Sequence, residues 1–216
     1  MGKRSYDEYC GLARALDVVG ERWTLLIVRN LLLGPVRYSD LLRGLPGITT
    51  NLLAKRLREM EESGLVARTG LAAGEPGHAY RLTGLGLALE PAVQALAKWG
   101  WHRMTGPGPE DHRNLEWLLA STRGRYGGNL HLSAEFLVDG APYHFVLAGA
   151  EATIARGPLP GAELRVRVPA PTLVRLLVEG WPEDGAPDAL QVEGGVDRLR
   201  SLVEAFERPP GRGVAK

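Results

Sequence analysis

The chain has 216 residues, of which 44% are hydrophobic, and it carries 26 basic against 25 acidic side chains. This length fits one larger domain or two small ones with a real core, which excludes collagen-like, coiled-coil and wholly disordered proteins. The single cysteine, Cys10, excludes an internal disulfide and a zinc site built from cysteines. A membrane-spanning helix needs about 18 consecutive apolar residues, and no apolar run in the chain is that long. We therefore expect a cytoplasmic protein without membrane association.

The charge is distributed unevenly along the chain. Residues 1–104 carry 14 Lys and Arg against 10 Asp and Glu, a net charge of +4, whereas residues 105–216 carry 12 against 15, a net charge of −3. This asymmetry mildly favours an anionic partner for the first half.

Hydrophobic residues at helical spacing dominate the first half, followed by a short hairpin pattern. The predicted helices cover residues 9–19, 21–32, 38–42, 49–63 and 85–104, and the predicted strands cover 65–69 and 78–83. Thr49 or Thr50 can cap the fourth helix, whose inward stripe would be Leu53, Leu57 and Met60.

Gly and Pro at Thr105-Gly-Pro-Gly-Pro109 prevent the last of these helices from continuing. We therefore predict a first domain over 1–104, a linker over 105–111, a second domain over 112–208 and a disordered tail over 209–216.

The second half changes to the period of two that is typical of half-buried strands. The predicted strands cover 130–138, 143–148, 152–156, 164–168 and 190–192, and the predicted helices cover 112–122, 169–179 and 196–206. This order predicts an α/β sandwich, and an α+β protein as a whole.

Three helices followed by a two-stranded wing form a winged helix-turn-helix, in which residues 49–63 would be the DNA recognition helix. Its first residues can reach base edges and its basic residues can neutralise phosphates, while the preceding helix begins where the DNA backbone passes. The DNA-binding candidates are Arg37, Tyr38, Ser39, Thr49, Thr50, Asn51, Lys55, Arg56 and Arg58. The alternative is a solvated helix face, on which Glu59, Glu61 and Glu62 pair with the basic residues.

The run from Cys10 to Leu42, followed by LPGITTNLLAKRLREMEESGLV (45–66) and YRLTGLG (80–86), resembles the HxlR family of bacterial winged-helix regulators over residues 6–104. The resemblance implies a homodimer on a roughly palindromic operator in double-stranded DNA, with the N-terminal helix and residues 85–104 forming the dimer interface. The wing tip at 71–77 lacks the basic side chain that a minor-groove wing generally carries. Arg68 and Arg81 at its base therefore become the candidate phosphate contacts.

Cys10 lies where many relatives in that family carry a cysteine, which in some of them senses oxidants or electrophiles. The alternative is a small buried helix residue, since free cysteine is among the most buried residue types. The five histidines lack metal-ligand spacing, and no nucleophile elbow, P-loop or dinucleotide fingerprint occurs. We therefore expect no metal, no cofactor and no enzymatic activity.

Two stretches, AELRVRVPAPTLVRLL (162–177) and LQVEGGVDRLRSLVEAF (190–206), make residues 112–208 similar to the sterol-carrier-protein type domain. The resemblance implies an apolar tunnel for a hydrophobic small-molecule effector. Candidate wall residues are Phe136, Phe145, Val146, Ile154, Leu173, Leu176, Leu177, Trp181 and Phe206, with Arg175 and His144 as candidate polar anchors. The alternatives are an ordinary filled core, and a second domain that serves only dimerisation or partner docking.

Overall fold

The computed structural model describes residues 5–71, 76–104, 112 and 114–207. The chain divides into two compact units, Met1–Val93 and Gln94–Lys216. This division lies eleven residues before the predicted domain boundary at 104, and it falls inside a helix. The predicted linker, the tail at 209–216 and most of the wing tip lie outside the described residues.

The first unit contains the predicted succession of helices and hairpin. Its elements are α1 (Gly11–Val19), α2 (Thr24–Leu31), β1 (Val36–Arg37), α3 (Tyr38–Arg43), α4 (Thr50–Glu62), β2 (Val66–Gly70), β3 (His78–Leu82) and α5 (Gly84–Leu87). The strands form an antiparallel sheet in the order β1-β3-β2. The core of this unit contains Ile27 and Leu41 together with the stripe of α4, Leu53, Leu57 and Met60, as the helical spacing predicts.

Two features of this unit differ from the sequence expectation. The strand β1 was not expected, because its two residues are too few to show the alternation of a strand. Their pairing with β3 also joins residues far apart in the sequence. The single helix predicted over 85–104 is instead α5 followed by α6 (Glu90–Trp101). Pro91 in the first turn of α6 has no N–H to continue the hydrogen bonding of α5, which favours a break at this point.

The second unit is a five-stranded sheet with helices, in the mixed α+β class that the sequence predicts. After the last part of α6 it contains α7 (Leu115–Thr122), β4 (Leu130–Val138), β5 (Ala141–Gly149), β6 (Glu151–Arg156), β7 (Leu164–Val168), α8 (Ala170–Glu179), β8 (Gln191–Glu193) and α9 (Val196–Glu204). The strand order is β6-β5-β4-β7-β8, and only the β4–β7 pair among these is parallel.

Alternation along the central strands separates two faces of this sheet. Phe136, Phe145 and Val166 point into the buried face, whereas Glu135 and Arg165, which are neighbours in the register, lie on the other face. Among the described residues, no helix is long and apolar enough to cross a membrane.

Candidate functional site

An exposed polar stripe runs along α4. Asn51, Lys55 and Arg58 are exposed, and their i, i+4, i+7 spacing places them on one side of the helix, away from the buried Leu53 and Leu57. Arg58 forms no ion pair with any described residue, and Lys55 makes only a long contact, 3.9 Å from Nζ to the Glu59 carboxylate. The stripe therefore presents an amide and two cations to solvent.

Local hydrogen bonds fix the start of α4. The Thr49 hydroxyl accepts a hydrogen bond from the Leu52 N–H at 3.3 Å, so Thr49 is the N-cap. The Tyr38 hydroxyl donates to the Thr50 carbonyl oxygen at 2.7 Å. Tyr38, which was predicted to contact phosphate, thus holds the N-terminus of α4. Ser39 and Thr50 are exposed.

Arg37 lies on the short strand β1, which pairs with β3. It is half-buried, and its Cα partner is Ala79. Its position at the entrance to α3 agrees with the sequence expectation, and its proposed phosphate contact stays a prediction.

Arg56 does not lie on the exposed stripe, contrary to the expectation that it faces phosphates. The residue is 8% exposed, and its Nη2 donates to Glu21 Oε2 at 2.8 Å while Nη1 donates to the Glu59 carboxylate. The i, i+3 pair with Glu59 was foreseeable from helical spacing. The pair with Glu21 was not, because Glu21 lies 35 residues earlier, in the turn between α1 and α2.

The two arginines at the base of the wing lie on opposite faces of the hairpin. Arg68 pairs in register with Tyr80, and Arg81 pairs with Ala67. Arg68 is further held by Glu61, with Nε 2.9 Å from Oε1, and this hydrogen bond raises the pKa of Arg68. The structure therefore does not combine Arg68 and Arg81 into one basic patch.

Cys10 is exposed, which contradicts the alternative of a small buried residue. It is the N-cap of α1, and the nearby backbone N–H groups of Ala13 and Leu12 favour the thiolate and lower the pKa of its thiol. A lower pKa increases the thiolate fraction, which is the nucleophilic form.

Exposed apolar side chains collect on α1 and α6. On and before α1, Tyr9, Leu12 and Leu16 are exposed, with Ala13 the one buried residue of the helix. On α6, Leu96 is 52% and Trp99 66% exposed. On each of these helices taken by itself, a group of solvated apolar side chains is typical of a surface that another protein covers.

The opposite side of α6 packs within the second unit. Gln94 Nε2 donates to the Ala120 carbonyl oxygen at 2.6 Å, and the Arg125 guanidinium lies 5.6 Å from the ring centroid of Trp101. Residues 94 and 101 are two turns apart on one side of the helix, whereas Leu96 and Trp99 point away from it. The exposed apolar side of α6 is thus left uncovered by the second unit.

Most candidate wall residues of the second unit gather on the buried side of the sheet. Those that are fully buried are Phe136, Phe145, Ile154, Leu173, Leu176, Leu177 and Phe206. The ring centroids of Phe136 and Phe145 are 4.7 Å apart, and those of Phe145 and Phe206 are 6.1 Å apart, so these rings pack against one another. Val146 follows Phe145 on β5 and therefore points to the other face, and Trp181 is half-buried after α8.

The polar anchors suggested by sequence are not on this side. Arg175 is exposed on α8, and His144 lies on the opposite face of β5, with Nδ1 3.0 Å from the Gly157 carbonyl oxygen. Instead, Arg156 forms a bidentate pair with Glu116, both distances being 2.7 Å, and the Tyr143 hydroxyl donates to Glu116 at 3.2 Å. Burial and the Glu116 carboxylate raise the pKa of Tyr143 to about 12.

Among the residues that the structure describes, no three His, Cys, Asp or Glu side chains are placed to hold a metal ion together.

Comparison with known proteins gives matches for the first part of the chain. The sequence profile of the HxlR-like helix-turn-helix family matches residues 18–106. An uncharacterised HTH-type transcriptional regulator of Bacillus subtilis, YkvN, is 41% identical over 91 residues, which are 42% of this chain and 77% of that protein. An uncharacterised HTH-type transcriptional regulator of Mycobacterium bovis, Mb3122, is 44% identical over 89 residues, which are 41% of this chain and 56% of that protein.

Among solved structures, a putative transcriptional regulator of the MarR family from Porphyromonas gingivalis W83 is 29% identical. The match covers 47% of this chain and 99% of that one, with a TM-score of 0.43. The family profile ends at residue 106, so the five-stranded sheet lies outside it.

Proposed function

The chain belongs to the HxlR-like helix-turn-helix family, and from this we propose that it regulates transcription as a homodimer that reads operator DNA with α4. The observation that carries the proposal is the exposed stripe of Asn51, Lys55 and Arg58. Asparagine can make a bidentate contact with adenine, and the two cations can neutralise DNA phosphates.

Selection from a random library of DNA duplexes by the full chain tests this proposal. We expect enrichment of a sequence with two related half-sites, separated by about one helical turn of DNA, because a two-fold symmetric dimer presents two copies of α4. Binding should weaken steeply with salt. A protein that enriches no sequence and binds duplex DNA without salt dependence would contradict the proposal.

The exposed apolar side chains on α1 and α6 support the dimer. Leu12 and Leu16 on α1, and Leu96 and Trp99 on α6, are solvated in the single chain although apolar burial is favourable. Covering both surfaces with a second copy removes this cost. Sedimentation of the full chain should show a dimer at micromolar concentration.

The second domain is proposed to bind a hydrophobic effector, in keeping with its resemblance to sterol-carrier-type domains. The supporting observation is the apolar composition of the buried side of the sheet, where the rings of Phe136, Phe145 and Phe206 lie. Because these rings pack against one another, a ligand would have to displace part of this packing to bind. Fatty acids, sterols and aromatic polyketides are the probes. A ligand should raise the melting temperature and change the operator affinity, and failure of all three classes would leave dimerisation or partner docking as the role of this domain.

A redox function is favoured by one observation, the exposure of Cys10 with a lowered thiol pKa. Since the chain has no second cysteine, oxidation would join Cys10 of two copies, with two electrons and two protons passing to the oxidant. Diamide treatment should give a dimer on non-reducing gels that Cys10→Ser abolishes. If oxidation leaves operator affinity unchanged, the redox function is wrong.

A further inference from the structure

The turn between α1 and α2 contacts the recognition helix α4 and approaches the turn that precedes it. Arg56, in the middle of α4, donates from Nη2 to Glu21 in that turn at 2.8 Å. In the same turn, Trp23 adopts a left-handed backbone with φ 85°, and its ring approaches to 3.7 Å from where a Cβ at Gly47 would lie. Gly47 belongs to the turn that leads into α4, so residues 21–23 lie near both the middle of this helix and the turn before it.

The Arg56–Glu21 contact constrains α4 in a way that the Arg56–Glu59 contact cannot. Glu59 is on the same helix and moves with it, whereas Glu21 belongs to a separate element. The Arg56 side chain is 10% exposed, and its Nε atom has no hydrogen-bond partner among the described residues, so the cation depends on these two carboxylates. Loss of Glu21 therefore removes the charged link between α4 and the turn between α1 and α2, while the pair of Glu61 with Arg68 still connects α4 to β2.

The rotation of α4 about its axis determines where Asn51 and Arg58 point. Hydrogen bonds to base edges require donor–acceptor distances near 3 Å and good alignment, whereas attraction to phosphates is far less directional. A helix free to rotate would thus lose base readout first and keep its non-specific affinity for DNA.

We infer that Glu21 is a positioning residue that acts through Arg56 to fix α4 for base readout. The inference rests on the proposed function, since it concerns operator recognition by the same helix. It assigns Arg56 to positioning and leaves phosphate binding to Lys55 and Arg58.

The test compares Glu21→Ala, Glu21→Gln and Glu62→Gln in the full chain. Each removes one negative charge, and Glu62 is exposed on α4 itself, which makes it the matched control. Affinity is measured for a 30-base-pair duplex enriched from the random library by the wild-type protein and for a shuffled duplex of equal composition. Charge alone predicts stronger binding to both duplexes in all three variants.

The inference predicts that Glu21→Ala lowers the ratio of operator to shuffled affinity by about tenfold, which is the discrimination lost when one base contact is misplaced. Glu21→Gln should lower it less, because the amide oxygen still accepts from Arg56, and Glu62→Gln should leave it unchanged. An equal ratio in Glu21→Ala and Glu62→Gln, with melting temperatures preserved, overturns the inference.

A double-mutant cycle gives a second measurement. Arg56→Met keeps the apolar stem, and in the Glu21→Ala background it should lower the ratio no further, because the link is already broken. Additive losses would show that the two residues act separately. If the wild-type protein itself enriches no sequence, the proposed function fails instead, so the two failures are distinguishable.

Discussion

Replacing Lys55 and Arg58 together by Gln tests the placement of phosphate contacts on α4. Both side chains are exposed on the stripe that carries Asn51, and the exposed contact of Lys55 with Glu59 is too weak to compete with DNA. Arg56 stays intact in this variant, because it is buried and paired with Glu21. The change therefore removes two cations from the surface without disturbing the core.

The salt dependence of DNA binding gives the magnitude. Each lost phosphate contact lowers the slope of log affinity against log salt concentration by about 0.9, so two lost contacts lower it by about 1.8. Between about 50 and 200 mM salt, the variant should therefore lose roughly tenfold less affinity than the wild type. Fluorescence anisotropy with the shuffled duplex, across a series of salt concentrations, measures this slope directly.

The control is Arg165→Gln with Arg167→Gln, which removes the same charge from exposed positions on β7 of the second unit. It should reduce overall attraction slightly and leave the slope nearly unchanged. Equal slopes for the two double variants would refute the placement of Lys55 and Arg58 at phosphates.

Three further outcomes are expected. Asn51→Ala should cost about 1–3 kcal/mol on the enriched duplex and little on the shuffled one, and equal losses in anisotropy would make Asn51 a phosphate contact. Leu96→Glu with Trp99→Glu should give monomers in sedimentation, since an interface on α6 would bury two charges; a folded dimer of this variant would exclude that surface. The pKa of Tyr143 is raised to about 12 in the folded state, so as the pH rises the phenol loses its proton in the unfolded chain before it does so in the folded one. The free energy of unfolding should therefore fall as the pH rises from about 10 towards 12. Tyr143→Phe should abolish that part of the fall in urea unfolding, and an identical pH profile would contradict the assignment.

Local patterns in the sequence determined the elements that build the candidate site. The stripe of Leu53, Leu57 and Met60 follows directly from 3.6 residues per turn, and once these residues are inward, Asn51 and Arg58 must face outward. The same reasoning could have separated Phe145 from Val146, since neighbours on a strand point to opposite faces. The periods of helices and strands are set by backbone geometry, so the side of an element that a residue occupies can be predicted without knowledge of the fold.

The partners of individual charged side chains were decided only by the tertiary structure. Lys55 and Arg56 are adjacent basic residues on one helix, yet the first is solvated and the second is buried against Glu21. Helical spacing places Arg56 next to the inward Leu53 and Met60 and Lys55 away from them, but it does not identify the partner of Arg56, which comes from a turn 35 residues away. The path of the chain brings that carboxylate to α4, and the cost of burying an unpaired guanidinium makes the contact obligatory.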